Sequence, residues 1–299
     1  MERTSLSELL IRQRLMALTR FLPSARRGDV RSIHHARVAT RRLREALPLV
    51  ASGTRCRKLA RTLQRLTRAL GPVRELDVAL MTLDELERAG DVPRPAIVRL
   101  RQVIEEERRR LHGEMRRLVD GTDLDKLGKR AVAAARKAPS AVARGRVRDP
   151  ERLAVARRRA ARRAATLRAA IENAAGIYLP DRLHEVRIAV KKLRYTLELA
   201  RELSGSRAMA AIRTLKDVQD LLGRMHDLEI LIARTRGVQG SPIGVNLRLS
   251  GDLDRVVRRL ENECRQLHGH YMALRHKLLA ICDRVEADST QSEAAEPAA

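Results

Sequence analysis

Two segments 150 residues apart carry the same pattern, and a chain that writes one helical design twice has few ways to fold. Ile33 to Leu47 reads IHHARVATRRLREAL, and Asp181 to Glu198 reads DRLHEVRIAVKKLRYTLE. Aligned on His34 and His184, the register holds without a gap: Arg37 falls on Arg187, Arg41 on Lys191, Arg42 on Lys192, Leu43 on Leu193 and Arg44 on Arg194. On a helix of about 3.6 residues per turn, with His34 at zero, Arg37, Arg41 and Arg44 lie at roughly 300, 340 and 280 degrees. Ala36, Ala39, Leu43, Leu47 and Val50 gather on the other side, a face that has to be buried against other helices. In the second copy Val186, Ala189, Leu193 and Leu197 do the same. Each helix offers one face to a core and a rail of cations to something else.

The duplication extends beyond the rails. LGPVRELDV, from Leu70 to Val78, aligns with LGRMHDLEI, from Leu222 to Ile230, at an offset of 152. Helical spacing of apolar residues runs from Ser5 to Leu22 and is expected to end at Pro23. Asp29 is a candidate cap for the first rail helix, which reaches about Ser52 with a kink at Pro48 and stops at Gly53. A third helix starts near Thr54, is interrupted at Gly71-Pro72 and resumes from Val73 to Ala89. A turn at 90–95 precedes a fourth helix at 96–119. Periodicity weakens over 121–150, which reads as a joint although KRAVAAARK within it has helical character. Helices at 151–175, 181–203, 207–236 and 252–286 follow, with Gly205 closing the second rail and a loop at 237–251. The expectation is an all-α fold of two four-helix bundles, half 1 at about 5–120 and half 2 at about 151–287, related by an internal repeat and a pseudo-twofold axis. The tail at 288–299, DSTQSEAAEPAA, has no apolar pattern and is expected to be disordered.

With only four Phe, Tyr and Trp residues (Phe21, Tyr178, Tyr195 and Tyr271), the core has to be built from Leu, Val, Ile and Ala, which favours packed helices. The chain holds 62 Lys and Arg, 54 of them Arg, against 37 Asp and Glu, a net charge of +25 that favours a polyanionic partner. Cys56, Cys264 and Cys282 show no CxxC spacing, so neither a metal knuckle nor a disulfide framework is expected, and a reducing cytoplasm is the natural home. No secretory signal opens the chain and no run of about 18 apolar residues exists, so no membrane insertion is expected. His268, His270 and His276 do not share a helical face as metal ligands would, and no metal or cofactor is expected. No phosphate-binding loop, nucleophile elbow or zinc-protease helix is present, which leaves no candidate for catalysis.

At this point HHARVATRRLR and LHEVRIAVKKLRY resemble the two signature segments of the CHAD family, α-helical domains named for their histidines. LGPVRELDV and LKDVQDLLGRMHDLEI resemble the family's second pair of landmarks, and the likeness covers about residues 5 to 287. It implies two bundles facing one another across a basic cleft or pore, binding of inorganic polyphosphate, and residence at cytoplasmic polyphosphate granules. Carried over residue by residue, the ligand side comprises His34, Arg37, Arg41, Arg42, Arg44, His184, Arg187, Lys191, Lys192 and Arg194. Glu75 departs from the usual Asp, and His226 stands at the place of Arg74. Secondary candidates are Arg74, Tyr195 and Lys216. Of these, Arg74 reads as an intrahelical partner of Asp77, Lys216 pairs with Asp217 and Asp220, and Tyr195 serves packing or lends a hydroxyl.

The residue chemistry fits such a ligand. Helix positions three or four apart place cations about 5 to 6 Å from one another, commensurate with successive phosphates. Arginine adds two-pronged donation to phosphate oxygens, and histidine adds a cation that titrates near neutrality. Three other readings share the charge. A nucleic-acid binder would lack aromatics for stacking and a recognisable DNA-reading module. A scaffold would use the anion site only for recruitment, and a phosphohydrolase would reveal itself by turnover.

Overall fold

A computed structural model of the chain describes residues 6–50, 53–136, 150–174, 176–204, 209–241 and 246–294. These residues form nine α-helices and no strand. In order they are α1 (Leu6–Arg26), α2 (Val30–Val50), α3 (Gly53–Ala89), α4 (Arg94–Asp120), α5 (Leu124–Arg136), α6 (Pro150–Asn173), α7 (Pro180–Ser204), α8 (Met209–Gln239) and α9 (Leu247–Ala294). Among the described residues, no helix is long and apolar enough to cross a membrane.

The same order of packing appears in both sets. In the first, α1 packs on α2, α2 on α3 and α3 on α4; in the second, α6 packs on α7, α7 on α8 and α8 on α9. The 48-residue α9 closes its bundle against α6. Two helices fill that place in the first bundle: α4 stops at Gly121, and α5 turns back onto α1 after Asp123 caps it through the Lys126 N–H, 2.8 Å away. The expected joint is therefore partly helical, and α5 buries Leu127, Ala131 and Ala135 in the first core. Residues 137–149 of that joint lie outside the described residues.

Three apolar cores hold the molecule. Leu18, Leu22, Ile33, Leu43, Leu47 and Leu66 centre the first; Leu167, Val186, Leu193, Leu215, Tyr271 and Leu278 centre the second. A third core belongs to neither half, because Leu76 and Leu83 of α3 and Ile97 and Leu100 of α4 pack with Leu228 and Leu231 of α8 and Val256 and Leu260 of α9. Each fully buried leucine contributes about 2 kcal/mol, so this core welds the halves at one end. Arg224 and Arg234 of α8 reinforce it, the first binding Glu85 at 2.8 Å and the second Glu75 at 3.2 Å.

The halves meet again at the far end of the rails. Ala156, Leu199 and Leu203 of the second half join the first core. Glu45 of α2 accepts from Arg159 at 3.2 Å and from Arg163 at 2.6 Å, both on α6, and Arg14 of α1 pairs with Glu202 of α7 at 2.7 Å. Between these two junctions α2 and α3 face α7 and α8 across the half-buried cations of the two rails.

Several boundaries depart from the sequence expectations. Pro23, Pro48 and Pro72 lie inside α1, α2 and α3 without ending them. All three are on exposed faces, where water can take the backbone acceptor that each proline leaves free. The loop expected at 237–251 is narrowed from both sides, since α8 continues to Gln239 and Asn246 caps α9 through the Leu249 N–H at 2.9 Å. Gly205 and residues 242–245 lie outside the described residues. α9 also runs through the first part of the expected tail to Ala294, its Ser289 being buried, and 295–299 lie outside the described residues. Asp29 caps α2 as expected, accepting from the Ser32 N–H at 2.7 Å. Gly28, at φ 96°, makes the preceding turn under the ring of His112.

Candidate functional site

α2 and α7 turn their cationic stripes toward one another. Arg41 lies within the electrostatic reach of the Tyr195 hydroxyl on the facing helix. Arg37 feels the charges of Arg41 and Arg187, and Lys191 those of Arg41, Arg187 and Arg37. Four cations from two helices thus share one space. Among the described residues, no carboxylate lies within 4.0 Å of any of these four.

The floor of the cleft is made by the second landmark. A Cβ built on Gly71 of α3 would stand 3.7 Å from Arg37 Nε, and one on Gly223 of α8 would stand 3.9 Å from Arg187 Nε. The two glycines occupy equivalent places in the repeat and leave room for a guanidinium to lie along each helix. Both Nε atoms are buried and lack a hydrogen-bond partner. A buried donor without an acceptor is costly, and an incoming oxyanion would relieve that cost.

Burial and mutual repulsion show in the titration of these groups. Burial first, then Arg41 and Arg187, push Arg37 down to about 10. Burial and then Arg41, Arg187, Arg37 and Lys192 push Lys191 down to about 7, where half of its charge is gone at neutral pH. Arg41 is lowered by burial and by its neighbours Arg187 and Arg44, and Arg187 by burial, against the opposing charge of Asp227.

The histidines stand at the ends of the stripes. His34 lies edge-on to His35, and burial followed by Arg74 lowers it. His184 and His226 face one another with Nδ1 atoms 3.2 Å apart, so one of the two donates to the other. Burial, then Arg187, His184, Lys191 and Arg37, push His226 down to about 4. His226 therefore belongs to the cleft, in the place that Arg74 holds in the first half. The offset of 152 pointed at this position, but its chemistry differs from that of Arg74 and left it off the expected ligand set. Asp227 was also missed: it is a half-buried carboxylate near Arg187, Arg74 and Arg224, raised chiefly by burial.

Other expected site residues are placed differently. Arg44 is half-buried beside Arg41, with no ion pair among the described residues. Arg194 is buried, stacks on Tyr195 and is held by Glu198 and by Gln219 at 3.1 Å. Arg42 is exposed and reaches the same Glu198 at 3.9 Å, while Lys192 is exposed. Tyr195 is buried, with its hydroxyl near Arg41 and its ring under Arg194. Lys216 is exposed and paired with Asp220 at 2.7 Å, as its spacing indicated. The expected pairing of Arg74 with Asp77 is replaced. Asp77 binds Arg108 of α4 at 2.6 Å, and the same guanidinium donates to the Gly28 carbonyl at 2.9 Å. The nearer i+3 cation loses because Asp77 points into the α3–α4 contact, and Arg74, half-buried, sends its charge toward His34 and Asp227. Among the described residues, no group of three or more His, Cys, Asp or Glu side chains is placed to hold a metal ion.

The family model for the CHAD domain matches residues 9–236. Among solved structures, PptA from Streptomyces chartreusis superposes with a TM-score of 0.64 at 16% identity, covering 90% of this chain and 97% of that one. The crystal structure of the CHAD domain from the plant Ricinus communis superposes with a TM-score of 0.60 at 19% identity, covering 96% of this chain and 92% of that one. No curated protein matches the sequence. The structural likeness carries the fold over nearly the whole length, and the family match spans both rails and both landmarks: the chain belongs to the CHAD domain family.

Proposed function

We propose that this protein binds inorganic polyphosphate in the cleft between α2 and α7 and holds it without breaking it. The observation that carries the reading is the convergence of Arg37, Arg41, Arg187 and Lys191, from both halves, with no ion pair among them to spend their charge. Proteins usually neutralise cations that lie this close, because repulsion in a partly buried site costs stability. A linear polyanion supplies that neutralisation along its length and accepts hydrogen bonds from each guanidinium. His34, His184, His226 and Arg74 extend the same lining.

Nucleic acid fits the lining less well, since among the described lining residues Tyr195 is the one Phe, Tyr or Trp side chain and its ring is already covered by Arg194. A cytoplasmic location at polyphosphate granules follows from the proposed ligand. The test is competition at fixed salt between polyphosphate and a DNA duplex or single-stranded RNA of matched charge, with phosphate release followed in the presence of Mg²⁺. Preference for polyphosphate with no release supports the proposal. Equal affinities would make the protein a general polyanion binder, and release would make it a hydrolase.

A further inference from the structure

A second row of cations lies on α3, outside the cleft. Lys58, Arg61, Arg65 and Arg68 follow one another at the spacing of His34, Arg37, Arg41 and Arg44, which puts them at about 0, 300, 340 and 280 degrees on the helix. All four are exposed, and among the described residues none lies within 4.0 Å of a carboxylate. Solvated cations scattered over a basic protein need no explanation, but four in one stripe with no carboxylate partner among the described residues do.

The stripe starts where the cleft wall ends. Thr67, at about 180 degrees on the same scale, bonds Thr40 of α2 at 3.0 Å and marks the side of α3 that faces the first rail. Gly71, under Arg37, lies at about 220 degrees, and Arg68, one turn before it, at about 280. A chain leaving Arg37 over Gly71 therefore meets Arg68 next, then Arg65, Arg61 and Lys58.

The second half does not repeat this feature. At the offset of 152, the equivalents on α8 are Ala210, Arg213, Asp217 and Asp220. Two cations have become carboxylates and one an alanine, and Asp220 additionally holds Lys216 at 2.7 Å. The two rails are alike in charge, whereas their outer flanks differ: four cations stand on α3 where α8 carries one cation and two anions.

We propose that Lys58, Arg61, Arg65 and Arg68 form a second anion-binding track that continues the cleft on one side only, so that a long polyphosphate chain leaves over α3 and not over α8. The proposal rests on the polyphosphate reading of the cleft and adds a direction and a length dependence to it. A linear phosphate chain suits the track because the stripe carries no aromatic side chain for bases to stack on. Once the cleft holds one part of a chain, the track meets the rest at high effective concentration, so weak exposed contacts add to the affinity of long chains only.

The test uses the full chain in three forms: wild type, Arg61→Ala/Arg65→Ala/Arg68→Ala on α3, and Arg213→Ala/Lys216→Ala on α8. Alanine at exposed helix positions keeps or raises helicity, which circular dichroism checks. Binding of end-labelled polyphosphate is measured for a short chain, matched to the roughly 15 Å span of one rail, and for a chain several times longer. The α3 variant is expected to lose about tenfold in affinity for the long chain and to show a salt slope shallower by about 2 to 3, with the short chain unaffected and the α8 variant like wild type. Equal losses for both lengths, no loss for the long chain, or the same loss in the α8 variant would overturn the track. So would loss of a DNA duplex by the α3 variant with polyphosphate binding intact, which would make the stripe a nucleic-acid surface. Arg37→Ala/Arg41→Ala separates the two levels: if it keeps wild-type affinity for both lengths, the cleft reading fails, whatever the track does.

Discussion

Replacing Lys191 by arginine tests how the cleft stores its charge. A fall from 10.5 to about 7 corresponds to about 5 kcal/mol against the ammonium form, at about 1.4 kcal/mol per tenfold. The folded value lies below the unfolded one. Charged Lys191 therefore destabilises the free protein fully below pH 7, and the penalty fades as pH rises from 7 toward 10.5. A phosphate anion against the amine favours the ammonium form and restores the ordinary value. At pH 8 the free side chain is about nine-tenths neutral, so binding takes up close to one proton, and affinity falls about fivefold from pH 7 to 8 and about tenfold from pH 8 to 9. Arg37, Arg41 and Arg187 keep their charge over that range, and the lowered His34, His184 and His226 contribute uptake at lower pH. Lys191→Arg carries a permanent cation and should bind with nearly flat affinity from pH 7 to 9. Calorimetry at pH 8 in two buffers of different ionisation enthalpy counts the protons directly. A wild-type enthalpy independent of buffer, or an uptake that persists in Lys191→Arg, would refute the reasoning.

Two further outcomes follow from the packing. Glu45→Ala leaves Arg159 and Arg163 facing each other without their shared carboxylate, and urea denaturation should show a loss of about 3 kcal/mol; an unchanged midpoint would mean that this junction contributes nothing. Gly71→Ala makes only an ordinary contact with Arg37, so it should raise helix stability by about 1 kcal/mol and keep binding. Gly71→Leu covers the guanidinium and should weaken polyphosphate at least tenfold with the fold intact, and wild-type affinity in that variant would remove Arg37 from the site.

The rails were legible because cations and apolar residues keep separate faces of a helix through two copies, and burial enforces that separation. What the repeat could not carry was the partner that each cation meets. Glu198 stands one turn after Arg194, and its carboxylate captures that arginine; the equivalent place in the first copy is Pro48, and Arg44 has no ion pair among the described residues. The i+4 spacing was a readable signal for that pair. Asp77 shows the opposite limit, since its choice of Arg108 over Arg74 depends on how α4 crosses α3. Pro23 was over-read as a helix end and Pro72 as an interruption because exposure decides the cost of a proline, and exposure is a property of the assembled bundle. The third core, from the ends of α3, α4, α8 and α9, follows from how the halves dock, which no single helix period encodes.

The most direct test of the shared cleft is calorimetry with a polyphosphate chain long enough to reach both rails. Wild type, Arg37→Ala/Arg41→Ala, Arg187→Ala/Lys191→Ala and the fourfold variant are compared, each checked by circular dichroism. If the two rails act as one site, the wild type binds one chain per protein. Either pair of substitutions then weakens that chain by more than half the contacts would suggest, about a hundredfold, at unchanged stoichiometry, because the second rail loses the effective concentration supplied by the first. Half the stoichiometry at undiminished affinity in either pair would show two independent sites and contradict the cleft.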